Sequence, residues 1–259
     1  MKIAVMTARE PLYLPAFFDK FLKRRARDIA GVFVCSPVYK KHTIYSMLGR
    51  YVRSFGVWNT FILAFRVANA GMRDVLRIGS EQGRFYSIRS VAEAHGVDLL
   101  DCKDVNSPEL LRHLRGLGVD LVLSVSCPQI FKKDLIDLPA LGCLNIHGSN
   151  LPDYRGLMPS FWMMADGKDE AAVTVFFIDA GIDTGDVAGK RTIPIYDDDT
   201  LHSFIVRSKS EGCDLVLDVL DWIESGTLSR EPLKGKGNYC GWPTRQAYDR
   251  FRKRGRKLW

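Results

Sequence analysis

LNIHGSNLPDYRG, residues 144–156, is the stretch on which the reading of this chain turns. Leu144 and Ile146 alternate with Asn145 and His147. Residues two apart on a strand share a face, so the amide and the imidazole point one way and the aliphatic pair the other. Working backwards, VDLVLSVS (119–126) is a continuous apolar run, the pattern of a strand covered on both faces of a parallel sheet. KIAVMT (2–7), GVFVC (31–35) and VDLLDC (97–102) read the same way, with helical spacing at 14–26, 87–96 and 107–118 between them. Ser107 and Pro108 form a start signal for the last of these. Working forwards, AAVTVFFI (171–178) and VAGKRTIPI (187–195) are further strands. A long helix follows from Thr200 to a stop at Gly226, with one apolar stripe at 201, 205, 213, 216, 217, 220 and 223. Strands alternating with helices predict an α/β fold: an open, mostly parallel twisted sheet flanked by helices. Residues 1–195 are predicted as the main domain and 196–259 as a small C-terminal extension, one helix and a basic end.

The 259 residues suffice for one full core, and 46% apolar with 26% charged residues is an ordinary globular composition. No run approaches the ~18 apolar residues of a membrane span. The six cysteines form no C-x-x-C pair and the five histidines do not cluster near them, so neither a disulfide framework nor a metal site is expected. Reduced thiols and no export signal suggest the cytoplasm. The net charge of +7 is concentrated: residues 245–259 hold seven Lys/Arg against the single Asp249. That reads as a solvated basic tail, or as a phosphate contact. Residues 37–86 mix Tyr39, Tyr45, Tyr51, Trp58, Phe61, Phe65, Phe85 and Tyr86 with arginines. Packing accounts for such a segment, and so does a grip on a base and a diphosphate.

The strand carrying Asn145 and His147 ends where ligand crevices form in open α/β sheets. Asn145 can donate to a carbonyl oxygen, and His147 can hold or release a proton near neutral pH. DAGIDTGDV (179–187) follows another buried strand and offers three aspartates, with Gly181 and Gly185 allowing a tight, approachable loop. Taken singly, the histidine suits a structural hydrogen bond and the aspartates suit turns. Together they suit acyl transfer to an amine that attacks directly. Asn145 and protonated His147 would stabilise the oxyanion, and Asp183 would keep the imidazolium charged and help relay the proton.

LNIHGSNLPDYRG followed by DAGIDTGDV resembles the family of formyltransferases that use 10-formyltetrahydrofolate, with the Rossmann-like fold of that family. LSVSCPQIFKKDLIDLPALG (123–142) is similar to the family's lead into the motif. The resemblance implies Asn145, His147 and Asp183 as the catalytic set. It implies that Pro128, Gln129, Ile130 and Phe131, with Asp179, Ala180, Gly181 and Ile182, hold the folate, largely through backbone groups. Ser149, Tyr154 and Arg155 would form the loop beside the formyl group, with Arg155 either an organiser of that loop or a substrate contact. Gly148 departs from the Pro or Ala that relatives often carry.

The branch resembled most is the N-formyltransferases of nucleotide-linked amino sugars, whose short ending is similar to YCGWPTRQAYDRF (239–251). GDP-perosamine, in O-antigen lipopolysaccharide synthesis, is the first expectation for the acceptor. Segment 37–86 would grip its diphosphate. MTAREPLYLP (6–15) lacks the Gly-rich phosphate loop of the purine branch, and 64 residues after Ile195 are too few for the barrel of the methionyl-tRNA branch. A compact methionyl-tRNA formyltransferase using the basic tail, and an idle folate- or nucleotide-binding protein, are the alternatives. Nucleic acid is otherwise not expected as a partner. The resemblance also implies a homodimer, with its contact expected near 200–223 or 237–248.

Overall fold

The computed structural model describes residues 1–37 and 44–259. Strands β1 (Ile3–Thr7), β2 (Ile29–Cys35), β3 (Leu99–Cys102), β4 (Leu121–Val125) and β5 (Cys143–His147) run parallel in the spatial order β3-β2-β1-β4-β5. β7 (Glu170–Phe177) then pairs antiparallel with β5, and β8 (Val187–Pro194) antiparallel with β7. The mostly parallel sheet predicted from the alternation of elements is therefore present. β7 alone runs against the others; β8, antiparallel to β7, returns to their direction.

Alternation along the central strands divides two cores. Ile3, Val5, Leu121, Leu123 and Leu144 face one layer, containing α1 (Leu14–Arg25), α4 (Ile88–His95), α7 (Pro159–Ala165) and α8 (Leu201–Ser225). Ala4, Met6, Val122 and Cys143 face the other, containing α5 (Pro108–Leu117) and α6 (Lys133–Ile136). Each large side chain buried here contributes roughly 1.5–3 kcal/mol. Helix starts follow the sequence signals: Ser107 Oγ accepts from the Leu110 N–H, and Thr200 and Ser203 form a reciprocal cap at the start of α8.

The predicted extension shares the first core. Phe204, Val216, Val219 and Leu220 of α8 are fully buried, with Phe251 from α9 (Arg245–Lys253). The C-terminal residues are not a solvated tail. Leu258 is 4% exposed, the Leu201 N–H donates to the Lys257 carbonyl, and the His202 N–H donates to that of Leu258. Arg254 donates to the Ala165 carbonyl at 3.0 Å, Arg256 to those of Tyr196 and Asp197, Arg250 pairs with Asp166, and Arg245 with Asp249. The charge count hid an ordered wrap whose apolar residues, Tyr248, Phe251 and Leu258, lie between its basic ones.

Helices α2 (Ile44–Phe55) and α3 (Val57–Val75) form a hairpin broken at Gly56, whose φ of 87° needs glycine. Tyr39 and the side chain of Tyr45 lie outside the described residues. No helix among the described residues is long and apolar enough to cross a membrane.

Candidate active site

The end of β5 opens into a cavity of about 450 Å³, within the range of small-molecule pockets. Asn145, His147, Asp183 and Pro128 all line it, with Ser126, Cys127, Gly156 and Lys209. Ile146, between the two polar residues in the strand, lines the same cavity. Among the described residues none hydrogen bonds to the Asn145 amide, which leaves its donors for whatever occupies the cavity.

His147 is held on both sides. Its Nε2 lies 2.9 Å from the Tyr154 carbonyl. A carbonyl only accepts, so Nε2 carries the proton and Nδ1 is the nitrogen that faces Asp183. Nδ1 sits 3.8 Å from Asp183 Oδ2, an ion-pair distance too long for a hydrogen bond. Asp183 is fixed in turn by the Gly156 N–H, which donates to Oδ2 at 2.8 Å. Asp183 adopts φ 54°, the left-handed conformation that Asp tolerates better than most residues.

This approach depends on a reversal that the sequence did not reveal. β7 runs antiparallel to β5 and ends with Phe177 opposite Leu144, near the start of β5. The loop from Phe177 must therefore fold back along the sheet before Asp183 reaches His147 at the far end.

The loop 149–156 is an organiser of this geometry, and its members do not line the cavity apart from Gly156. Ser149 is fully buried; its hydroxyl donates to the Asp153 carbonyl, and its own carbonyl accepts from Thr174 Oγ1. Tyr154 positions His147 through its backbone, while its hydroxyl donates to Asp166 Oδ2. Burial, then Asp166, pushes that phenol well above the usual tyrosine range. Arg155 donates to the Lys236 carbonyl at 3.1 Å, which favours its reading as a loop organiser. A two-stranded ribbon closes the loop: β6 (Arg155–Gly156) pairs with β9 (Tyr239–Cys240). Asn238 Oδ1 also accepts from the Tyr154 N–H.

The expected folate turn divides. Pro128 faces the cavity and Ile130 is 67% exposed beside it. Gln129 and Phe131 are turned inward. Gln129 Oε1 accepts from the Val105 N–H, and Nε2 donates to the Ser36 and Lys103 carbonyls, so its side chain ties three strand ends together. Phe131 packs in the second core. In the other loop Asp179 Oδ1 is used locally, by the Gly181 N–H and the Thr184 hydroxyl, while Ala180, Gly181 and Ile182 are exposed. None of residues 44–86 lines the cavity, so the expected diphosphate grip by that segment is not assembled there.

Lys209 was missed. From α8 it reaches the cavity and donates to Ser126 Oγ at 2.8 Å. Burial pushes its ammonium below the ordinary lysine range, with Glu10 opposing. A lysine one turn after Ile205, beside an otherwise apolar stripe, was the available signal.

The fold is an open α/β sheet with a cavity at the end of β5 lined by Asn145, His147 and Asp183. Residues 79–220 match the formyl transferase family, and the chain belongs to that family. A methionyl-tRNA formyltransferase of Citrifermentans bemidjiense is 39% identical over 144 residues, 56% of this chain and 45% of the relative. The chain thus spans about half the length of the curated relatives it matches. Solved structures share the fold at lower identity. A sugar N-formyltransferase from Shewanella sp FDAARGOS_354 superposes with a TM-score of 0.59 at 18% identity, over 93% of this chain and 77% of that one. Glycinamide ribonucleotide transformylase 1 from Symbiobacterium toebii gives 0.60 at 19% identity, over 90% and 94%.

Proposed function

We propose that the protein transfers the formyl group of 10-formyltetrahydrofolate to a primary amine, with no covalent enzyme intermediate. The supporting observation is the convergence of the Asn145 amide, Nδ1 of His147 and the Asp183 carboxylate on one open cavity. The folate supplies an activated formyl carbon, held by backbone groups around Ser126–Pro128 and the 179–183 loop. Asn145 donates to the formyl oxygen as negative charge grows there, and protonated His147 adds a second donor. Such a preorganised donor is worth ~3–4 kcal/mol of barrier. Asp183 favours the charged imidazole and, through water, takes the proton that the attacking amine releases. That proton ends on the folate nitrogen as its bond to the formyl carbon breaks. The Gly156–Asp183 and Tyr154–His147 bonds hold both groups in place before substrate arrives.

For the acceptor, the curated relatives favour methionyl-tRNA, with 39% identity over 144 residues to one such enzyme. A nucleotide-linked amino sugar is supported instead by the C-terminal wrap. That wrap ties three of the seven terminal basic side chains, Arg250, Arg254 and Arg256, to the rest of the protein and builds the wall beside Tyr154. Incubation with 10-formyltetrahydrofolate and, separately, methionyl-tRNA or a panel of nucleotide amino sugars, read by mass spectrometry, decides between them. Absence of formyl transfer to every amine, with no binding of the folate, would refute the proposal.

A further inference from the structure

The outer face of α3 is apolar and bare. Val57, Trp58, Phe61, Phe65, Met72 and Val75 are each 53–82% exposed. Taking roughly 150–250 Å² for a large aromatic side chain, they present on the order of 750 Å². That matches the ~800 Å² per partner of a standard interface and exceeds what monomers usually leave open. Near 200–223 and 237–248, where the contact is expected, Val206, Trp222 and Tyr239 are exposed, but most large apolar side chains are buried. Leu201, Phe204, Leu217 and Leu220 are at most 5% exposed, and Cys240, Ala247 and Tyr248 at most 8%.

The order of side-chain sizes along the helix identifies the occupant. Residues 57, 61, 64, 68, 71 and 75 follow the alternating four- and three-residue spacing of a helix–helix seam, and all are exposed. Laid antiparallel about residue 66, this seam is complementary to itself: Val57 meets Val75, Phe61 meets Gly71, and Ala64 meets Ala68. Reciprocal pairing of that kind is what a two-fold interface requires. The charges of α3 are turned elsewhere. Arg66 lies over the Trp259 ring at 4.8 Å, and Arg73 donates to the Tyr86 hydroxyl. A helix lying on an anionic bilayer needs free basic residues flanking its apolar face; here Arg66 and Arg73 are engaged on rings of their own chain. Trp58 and Phe61 are already stacked at 5.8 Å, which lowers the ordering cost of association.

We propose that α3 is the dimerisation helix of this protein, packed antiparallel against α3 of a second copy. Sedimentation or light scattering should give twice the 29.3 kDa chain mass at micromolar concentration. Ala68→Arg should weaken the dimer roughly 30-fold or more, the scale of a central interface residue. Gly71→Leu gives the sharper test. No atom lies within 4 Å of a Cβ at Gly71, so the protomer accepts the side chain and its helix gains, yet Phe61 of the partner would lose its space. Val206→Arg, on exposed α8 surface, should leave the dimer unchanged. A monomeric wild type, a dimer indifferent to both α3 substitutions, or a monomer that sediments with phosphatidylglycerol vesicles would each overturn the proposal.

Discussion

The end of β5 and the outer face of α3 treat their side chains in opposite ways. At the strand end nearly every polar group is fixed within the protomer: His147 by Tyr154, Asp183 by Gly156, Ser149 by Asp153, and the Ser149 carbonyl by Thr174. The Asn145 amide makes no hydrogen bond among the described residues. On α3 the large side chains touch almost nothing of their own chain. The difference is one of task. Stabilising charge on a small substrate demands donors that do not have to reorganise, whereas a surface made to be covered by another molecule is complete only when covered.

That contrast can be tested in descending order of effect. Asp183→Asn keeps the left-handed turn and an acceptor for Gly156 but removes the charge beside Nδ1. Formyl-transfer turnover should fall ~10²–10⁴-fold while the melting temperature stays near wild type. Equal loss of activity and stability would mean that the carboxylate only builds the loop.

Gly156→Ala attacks the tied region through its backbone. The position has φ 93°, and an added Cβ would lie 2.5 Å from the Cys240 carbonyl oxygen. A destabilisation of about 2–3 kcal/mol is expected in denaturant unfolding, because the φ strain and the clash fall on fixed atoms.

Lys209→Met is expected to be milder. A lysine whose folded pKa lies below its unfolded value is protonated more readily in the unfolded chain. Its presence therefore costs stability below the folded pKa. That cost is relieved as pH rises from the folded pKa towards 10.5. The variant should melt higher than wild type at pH 7, and the difference should shrink on raising pH through that window. Differential scanning calorimetry across pH reads this directly.

Trp58→Ala should change protomer stability by less than ~0.5 kcal/mol, as for other exposed sites, when unfolding is measured at concentrations too low for association. A larger loss would mean that the α3 face packs within its own chain.

The sequence made the strand-end motif legible because alternation with period 2 is a local property of residues 144–147. The sheet was legible from another local pattern, continuous apolar runs such as 2–7 and 119–126 separated by helical spacing. Three features were not. The reversal of β7 is set by pairing with β5, which no local pattern encodes, so the path that brings Asp183 to His147 needed coordinates. The C-terminal wrap was masked by charge: Phe251 and Leu258 are separated by six residues, five of them basic, and the composition outweighed the periodicity. Lys209 and Asn238 act through tertiary contacts 83 and 84 residues distant in the chain.

The pairing of β6 with β9 also sets a schedule. Gly156, which orients Asp183, is held by a strand translated more than eighty residues later. A nascent chain can lay down β1 to β5 on the ribosome, but the carboxylate cannot be locked beside the imidazole until Asn238–Cys240 have emerged from the exit tunnel. Synthesis interrupted before that point would leave the sheet without an ordered Asp183–His147 pair.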